Sequence, residues 1–319
     1  MTDDGDGTEG SLSPDDAFAL LGNETRMTIL QTLGTAGEPL QFSTLHDRVD
    51  VRDSGQFNYH LEKLVGHFVE KTERGYTLSR MGRRVVEAVL SGAVTETPDL
   101  ERTVVDESCE YCGAPIEVTW ESGSIRLFCT ECSGRYGRAY TGNRGGDPVE
   151  EGYLGRHPFP PAGVRNRSPE GVLHAAYVAG TLEVYSLSAG ICPRCRAPVE
   201  HSLSVCPDHD SGDGLCEACE SVYAVSLGFR CSNCIYKGGG GLGIGLIGNQ
   251  ELLDFVTDHG LNPIDPDSTR TLDGIHQNYR EEVLSTDPLR VRLTYTIDGE
   301  SLSLTVDEDV HVVESTRRP

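Results

Sequence analysis

Residues 109–132 read CEYCGAPIEVTWESGSIRLFCTEC, a segment that alternates apolar and polar side chains about a Ser122-Gly123 turn and carries a C-x2-C pair at each end. Each pair closes a tight turn whose two thiolates converge on one tetrahedral ion. Strands of period two between two such turns predict a zinc ribbon. A hairpin of this size cannot bury enough apolar surface to hold itself, so bound zinc supplies folding free energy on the order of 10 kcal/mol.

The pattern recurs beyond this stretch. Ten of the chain's 11 cysteines fall in C-x2-C pairs: Cys109/Cys112, Cys129/Cys132, Cys192/Cys195, Cys216/Cys219 and Cys231/Cys234. The remaining one, Cys206, stands in a Cys206-Pro-Asp-His209 motif, which brings the ligand set to twelve and fills three four-coordinate sites. The cofactor implied is Zn2+, about three per chain. Disulfides need an oxidising compartment, yet residues 1–20 start acidic and lack the apolar run of a secretory signal, so the thiols are expected to stay reduced in the cytoplasm. A redox function would use a single pair rather than five.

Within 191–237 the spacing leaves the pairing open. Cys192-Pro-Arg-Cys195-Arg-Ala-Pro-Val echoes Cys112-Gly-Ala-Pro-Ile, a weak internal repeat. If the repeat governs, Cys192, Cys195, Cys216 and Cys219 share one ion and Cys206, His209, Cys231 and Cys234 the other. A sequential pairing fits almost as well. His201 is a spare candidate.

Composition bounds the remainder. At 319 residues the chain makes two or three domains, and no apolar run is long enough for a membrane span. Fifty acidic residues against 27 Lys plus Arg give a formal charge of −23, with only Lys63, Lys71 and Lys237 as lysines. Such an acidic, Lys-poor surface resembles that of haloarchaeal cytoplasmic proteins. Salt at molar concentration screens charge within about 3 Å, so the global balance does not exclude nucleic acid.

Residues 1–12 carry no periodicity and read as a disordered acidic tail. Ser13-Pro14-Asp15-Asp16 and then Asn23-Glu24-Thr25-Arg26 open two helices. A third spans about 42–49 with Phe42, Leu45 and Val49 inward. A polar turn leads to a fourth, about 54–65, with Phe57, Leu61 and Leu64 on one face and Gln56, Asn58, Tyr59, His60 and Lys63 on the other. Two short helices joined by a tight turn, the second polar outward, form the helix-turn-helix that enters a major groove. Strands at 68–71 and 75–78 make a hairpin wing, and a helix over 80–90 closes the unit. Between Ser13 and Gly92 eleven acids face nine bases, so the acidic excess lies elsewhere.

The strings FALLGNETRMTILQTL, FSTLHDRV, SGQFNYHLEKLVGHFVEK and GYTLSRMGRRVV resemble the ArsR-type winged-helix transcription regulators, in the haloarchaeal variety with zinc-binding modules behind the DNA-binding domain. The resemblance implies that SGQFNYHLEKL is the recognition helix and VEKTERGYTLS the wing. It also implies dimerisation through the first and last helices, by Phe18, Leu20, Val85, Val89 and Leu90. Metal-sensing relatives carry cysteines on the helix before the recognition helix. Residues 42–49 have none, which argues against metal sensing there.

The expected architecture is α+β and multi-domain. It comprises a winged helix-turn-helix (13–95), a zinc ribbon (103–142), a linker and apolar helix (143–190), a second Cys/His zinc module (191–237), and a Gly-rich hinge with a helix and small antiparallel sheet (238–319). The expected function is a dimeric DNA-binding transcriptional regulator. Its duplex contacts would come from Ser54, Gln56, Asn58, Tyr59, Lys63, Lys71 and Arg74, with Arg80, Arg83 and Arg84 near phosphates. The alternative is an adaptor of the transcription machinery whose zinc modules bind protein. No catalytic pairing is visible, and closed zinc sites leave no position for water, so an enzyme is not expected.

Overall fold

Capping residues set the helix starts in the amino-terminal part of the chain. In the computed structural model, which describes residues 12–135, 151–212, 214–263 and 279–319, Ser13, Asn23, Asp53 and Ser79 each accept a backbone N–H from three residues on. They begin α1 (Pro14–Leu21), α2 (Glu24–Thr35), α4 (Ser54–Leu64) and α5 (Arg80–Leu90), with α3 (Phe42–Val49) between the second and fourth. Such caps are worth about 1 kcal/mol each. Asp50 ends α3 in the left-handed region (φ 53°), where a short polar side chain is tolerated, and turns the chain into α4. Strands β1 (Val69–Thr72) and β2 (Gly75–Leu78) form an antiparallel hairpin whose Tyr76 also bonds back to Leu40. Ile29, Leu30, Leu45, Phe57, Leu61, Leu64 and Val86 close one core beneath these elements.

The chain divides into two compact units, Met1–Thr97 and Pro98–Pro319. In the second, β3 (Thr103–Ser108), β4 (Pro115–Glu121), β5 (Ser124–Cys129) and β6 (Tyr153–Pro158) form one antiparallel sheet in chain order. The short helix α6 (Pro161–Val164) leads to α7 (Pro169–Ser188), capped by Ser168. A three-stranded sheet follows, from β7 (Val199–Val205), β8 (Val225–Cys231) and β9 (Lys237–Gly241). Then come a 3-10 turn (Leu242–Leu246), α8 (Gln250–Asp258), and the sheet β10 (Arg280–Thr286), β11 (Leu289–Ile297), β12 (Glu300–Val306), β13 (Val312–Arg318). The molecule is thus mixed α and β with several small antiparallel sheets.

Several expectations are corrected here. The region read as a linker and helix (143–190) contributes β6, the fourth strand of the first sheet, paired along β5. The helix it also contains, α7, joins two cores: Val172, Leu173 and Ala176 pack with Val105, Ile116, Val118 and Ile125, while Leu187 packs with Leu227, Phe255 and Tyr295. The supposed Gly-rich hinge is β9, bonded to β8 over its whole length. Glycine is required there because a Cβ on Gly241 would sit 2.5 Å from the Tyr279 hydroxyl, and Tyr279 stacks on Tyr223 at 4.7 Å. The small antiparallel sheet expected at the C-terminal end has four strands. The tail at 1–11 and the Gly/Arg-rich stretch at 136–150 lie outside the described residues.

Candidate metal centres

The twelve predicted ligands gather into three groups of four, and within each group the ligand atoms all lie within 4.8 Å of one another. The first holds Cys109, Cys112, Cys129 and Cys132. The second holds Cys192, Cys195, Cys231 and Cys234, and the third Cys206, His209, Cys216 and Cys219. Sulfur-to-sulfur distances include 3.4 Å (Cys112 to Cys129) and 3.8 Å (Cys109 to Cys132) in the first, and 3.4 Å (Cys195 to Cys231) and 3.7 Å (Cys192 to Cys234) in the second. In the third, His209 Nδ1 lies 3.4 Å from Cys219 Sγ. Sulfurs at about 2.3 Å from a tetrahedral ion stand about 3.8 Å apart, so the donor sets fit a four-coordinate metal.

The pairing within 191–237 is neither of the two expected. It is nested: the outer pairs close on each other and the inner group sits inside them. Strand register decides this. Ile116 faces Cys129 across β4 and β5, and Val199 faces Cys231 across β7 and β8, each four residues after the second cysteine of its motif. Thr130 then donates its N–H and hydroxyl to the Pro115 carbonyl (3.1 and 2.9 Å), and Ser232 donates its own to Pro198 (3.1 and 3.0 Å). The internal repeat therefore covers the whole hairpin, and its second half is Cys129-Thr-Glu-Cys132 matched to Cys231-Ser-Asn-Cys234. Where the first copy turns through Ser122-Gly123, the second carries the segment 206–224 with the third centre in it.

Three of the pairs share one turn. Cys109, Cys192 and Cys216 each donate N–H to the carbonyl five residues on (2.7, 2.9 and 3.1 Å) and accept from the residue four on (2.8, 3.0 and 2.7 Å). That fourth residue is left-handed in every case: Gly113 (φ 76°), Arg196 (φ 67°) and Glu220 (φ 52°). Backbone N–H groups also point at sulfur, from Glu131 and Cys132 to Cys129, from Asn233 and Cys234 to Cys231, and from Asp210 to Cys216.

These bonds ready the thiols for a cation. Cys195 is lowered to about 6, first by the Ala197 N–H and then by Cys231, and Cys216 to about 7, first by the Asp210 N–H. At Cys129 burial pushes upward, but the N–H groups of Cys132 and Glu131 outweigh it and bring the thiol to about 7. Cys132 and Cys219 are pushed up to about 12 by burial and then by their neighbouring sulfurs. A dication relieves this mutual opposition, which is how a metal centre becomes folding free energy.

His201 lies on β7 opposite Phe229 and belongs to none of the three groups. Ser54, Gln56, Asn58, Tyr59 and Lys63 are exposed on α4, and Lys71 and Arg74 on and beside β1. Lys63 sits over the Tyr59 ring and Lys71 over Tyr76, both at 5.7 Å. Phe18 is 75 % and Leu90 45 % exposed, while Leu20, Val85 and Val89 are half-buried. Sequence reasoning gave no sign of Glu281, whose carboxylate accepts from the Ala224 and Val225 N–H groups (2.7 and 3.0 Å) and leaves its second oxygen buried without a partner. Burial raises it to about 7. Among the described residues no helix is long and apolar enough to cross a membrane.

No curated protein and no solved structure matches the chain. A family model described as a domain of unknown function (DUF7347) matches residues 14–89, the span from α1 into α5. A second, described as a domain of unknown function (DUF7351), matches residues 106–312, all three metal centres included, and since it covers about two thirds of the chain, the protein belongs to that family.

Proposed function

We propose that this protein is a sequence-specific DNA-binding transcriptional regulator, with a winged helix-turn-helix as its amino-terminal unit and zinc-ribbon modules held by structural Zn2+ as its carboxy-terminal unit. One observation carries the reading. The left-handed turn at Asp50 sets α4 behind α3 with Phe57, Leu61 and Leu64 buried, so Gln56, Asn58, Tyr59 and Lys63 project from a helix whose opposite face is locked in the core. Amide side chains on such a helix match the donor and acceptor pattern of adenine in the major groove, and the β1–β2 hairpin brings Lys71 and Arg74 to the surface as phosphate contacts. The exposed apolar side chains of Phe18 and Leu90 on the first and last helices of the unit support a homodimer. Zinc fits the centres because closed thiolate and imidazole sets of four favour it.

The test is quantitative binding and footprinting on the protein's own promoter. Gln56→Ala together with Asn58→Ala should weaken specific binding at least tenfold, at about 1–3 kcal/mol per base contact. Their circular dichroism should be unchanged, since both side chains are exposed. Absence of any protected site, or unchanged affinity in the double variant, would overturn the assignment.

A further inference from the structure

Charge is segregated along the β7–β8 hairpin. At the end that carries the third centre, residues 206–224 contain Asp208, Asp210, Asp213, Glu217 and Glu220 and no lysine or arginine. At the other end, around Cys192, Cys195, Cys231 and Cys234, the exposed basic side chains are Arg194, Arg196, Arg230 and Lys237. Arg156, exposed on β6, acts electrostatically on Tyr236 together with Arg194, so it belongs to the same patch. Ile235, between Cys234 and Tyr236, is 99 % exposed.

Among the described residues, two carboxylates are placed against these five cations. Glu183 pairs with Arg194 at 3.0 Å and also feels Arg196, while Glu200 faces Arg230 across β7 and β8. Arg156, Arg196, Arg230 and Lys237 make no ion pair with any described residue. Counting the formal negative charge of a four-thiolate dication centre as well, the patch remains positive on a chain of net −23.

Two positions are held there against local preference. Arg196 occupies the left-handed site that the first hairpin gives to Gly113, at a cost of about 1 kcal/mol for a side chain. Arg230 and Lys237 are direct cross-strand partners on β8 and β9, and like charges so placed destabilise a sheet. The four-cysteine coordination does not itself require such cations. The exposed residues inside the pairs of the first centre include Glu110 and Glu131, and its arginine, Arg135, is buried beside Tyr111 and Glu110.

We infer that the Arg156, Arg194, Arg196, Arg230 and Lys237 surface around the second metal centre is a docking site for the phosphate backbone of duplex DNA. Naming DNA as the occupant rests on the proposed function. The site itself is built wholly within the carboxy-terminal unit, and it reads charge rather than sequence.

The test compares the metal-loaded full chain with the triple variant Arg196→Gly, Arg230→Gln, Lys237→Gln across a salt titration, on promoter and on scrambled duplexes. The substitutions restore the favoured turn residue and remove the like-charge pair, so the variant should keep its metal content and melt no lower than wild type. Each lost phosphate contact lowers the slope of log K against log salt by about 0.9, so a decrease of roughly 2–3 is expected, with the promoter preference retained. An unchanged slope with the preference intact overturns the patch and leaves the proposed function standing. Salt-dependent binding without sequence preference, lost in the triple variant, overturns the proposed function and leaves the patch. If the wild type shows no salt-dependent binding to either duplex, both fall.

Discussion

The two units of this protein reach a folded state by different means. Residues 12–97 contain no cysteine and close their core with aliphatic and aromatic side chains drawn from five helices and a hairpin. Residues 98–319 have apolar cores too, but five cysteines, Cys109, Cys129, Cys192, Cys216 and Cys231, are buried within the three candidate metal groups, and strands end at those groups rather than at packed layers. The difference teaches that local periodicity suffices where contacts are near in sequence. Where short strands must be held at a fixed register, the clustered thiols and imidazole offer a metal ion ligand bonds that would take the place of buried area.

Removing metal should split this comparison most widely. A strong chelator under reductant is expected to unfold the carboxy-terminal unit and leave the amino-terminal helices intact, since each centre contributes on the order of 10 kcal/mol. The single tryptophan reports it: Trp120 donates its ring N–H to the Phe159 carbonyl at 2.8 Å, and its emission should shift to that of a hydrated indole while much of the helical dichroism survives. Loss of all the helical dichroism in parallel with the emission shift, beyond the share of α6 to α8, would show that the two units do not differ in this way. The converse is Phe57→Ala, which empties a fully buried site in the first core and should cost about 3–5 kcal/mol, with Trp120 emission and metal content unmoved.

A smaller effect separates the apolar core of the second unit from its metal centres. Glu281 is raised to about 7 in the fold from an ordinary carboxylate near 4.5, so the folded state holds a proton that the unfolded chain has released between those values. Its contribution is therefore full below about 4.5, falls as pH rises through the window, and is flat above about 7, with at most about 3 kcal/mol at stake. Glu281→Gln keeps an acceptor for the two backbone donors and should remove that slope. Both proteins share the acid sensitivity of thiolate centres, so the readout is the difference between their stability curves from about pH 5.5 to 7.5. Identical curves would mean that Glu281 titrates normally.

Much of this was legible in the sequence, and unevenly so. The cap residues and apolar spacing of 13–90 placed the five helices within a residue or two, because those signals are local. All twelve residues of the metal groups could be named from spacing alone. Their grouping could not, because it is decided by which strand carbonyl Thr130 and Ser232 reach, a register fact that the Cys-x-Ala-Pro echo only half discloses. Strand β9 was missed for the opposite reason: five residues, Lys237–Gly241, with four glycines carry no alternation to read, and the tyrosines that require the last of them, Gly241, lie at Tyr223 and Tyr279. Strand β6 was hidden by a Gly- and Pro-rich surround.

The nesting of one centre inside another also fixes an order in time. On a chain made from its amino end, the inner quartet is complete once Cys219 is added, while the outer one must wait for Cys234, fifteen residues later. Ion capture at the inner site ties off the segment between Cys206 and Cys219, leaving the outer pairs a shorter span to bridge, a saving of under about 1 kcal/mol. Against that gain stands the chain order itself: Cys192, Cys195, Cys206 and His209 have all been added before Cys216, so a mismatched quartet is on offer first, and the nested arrangement forms only if the later pairs, Cys216/Cys219 and Cys231/Cys234, displace it.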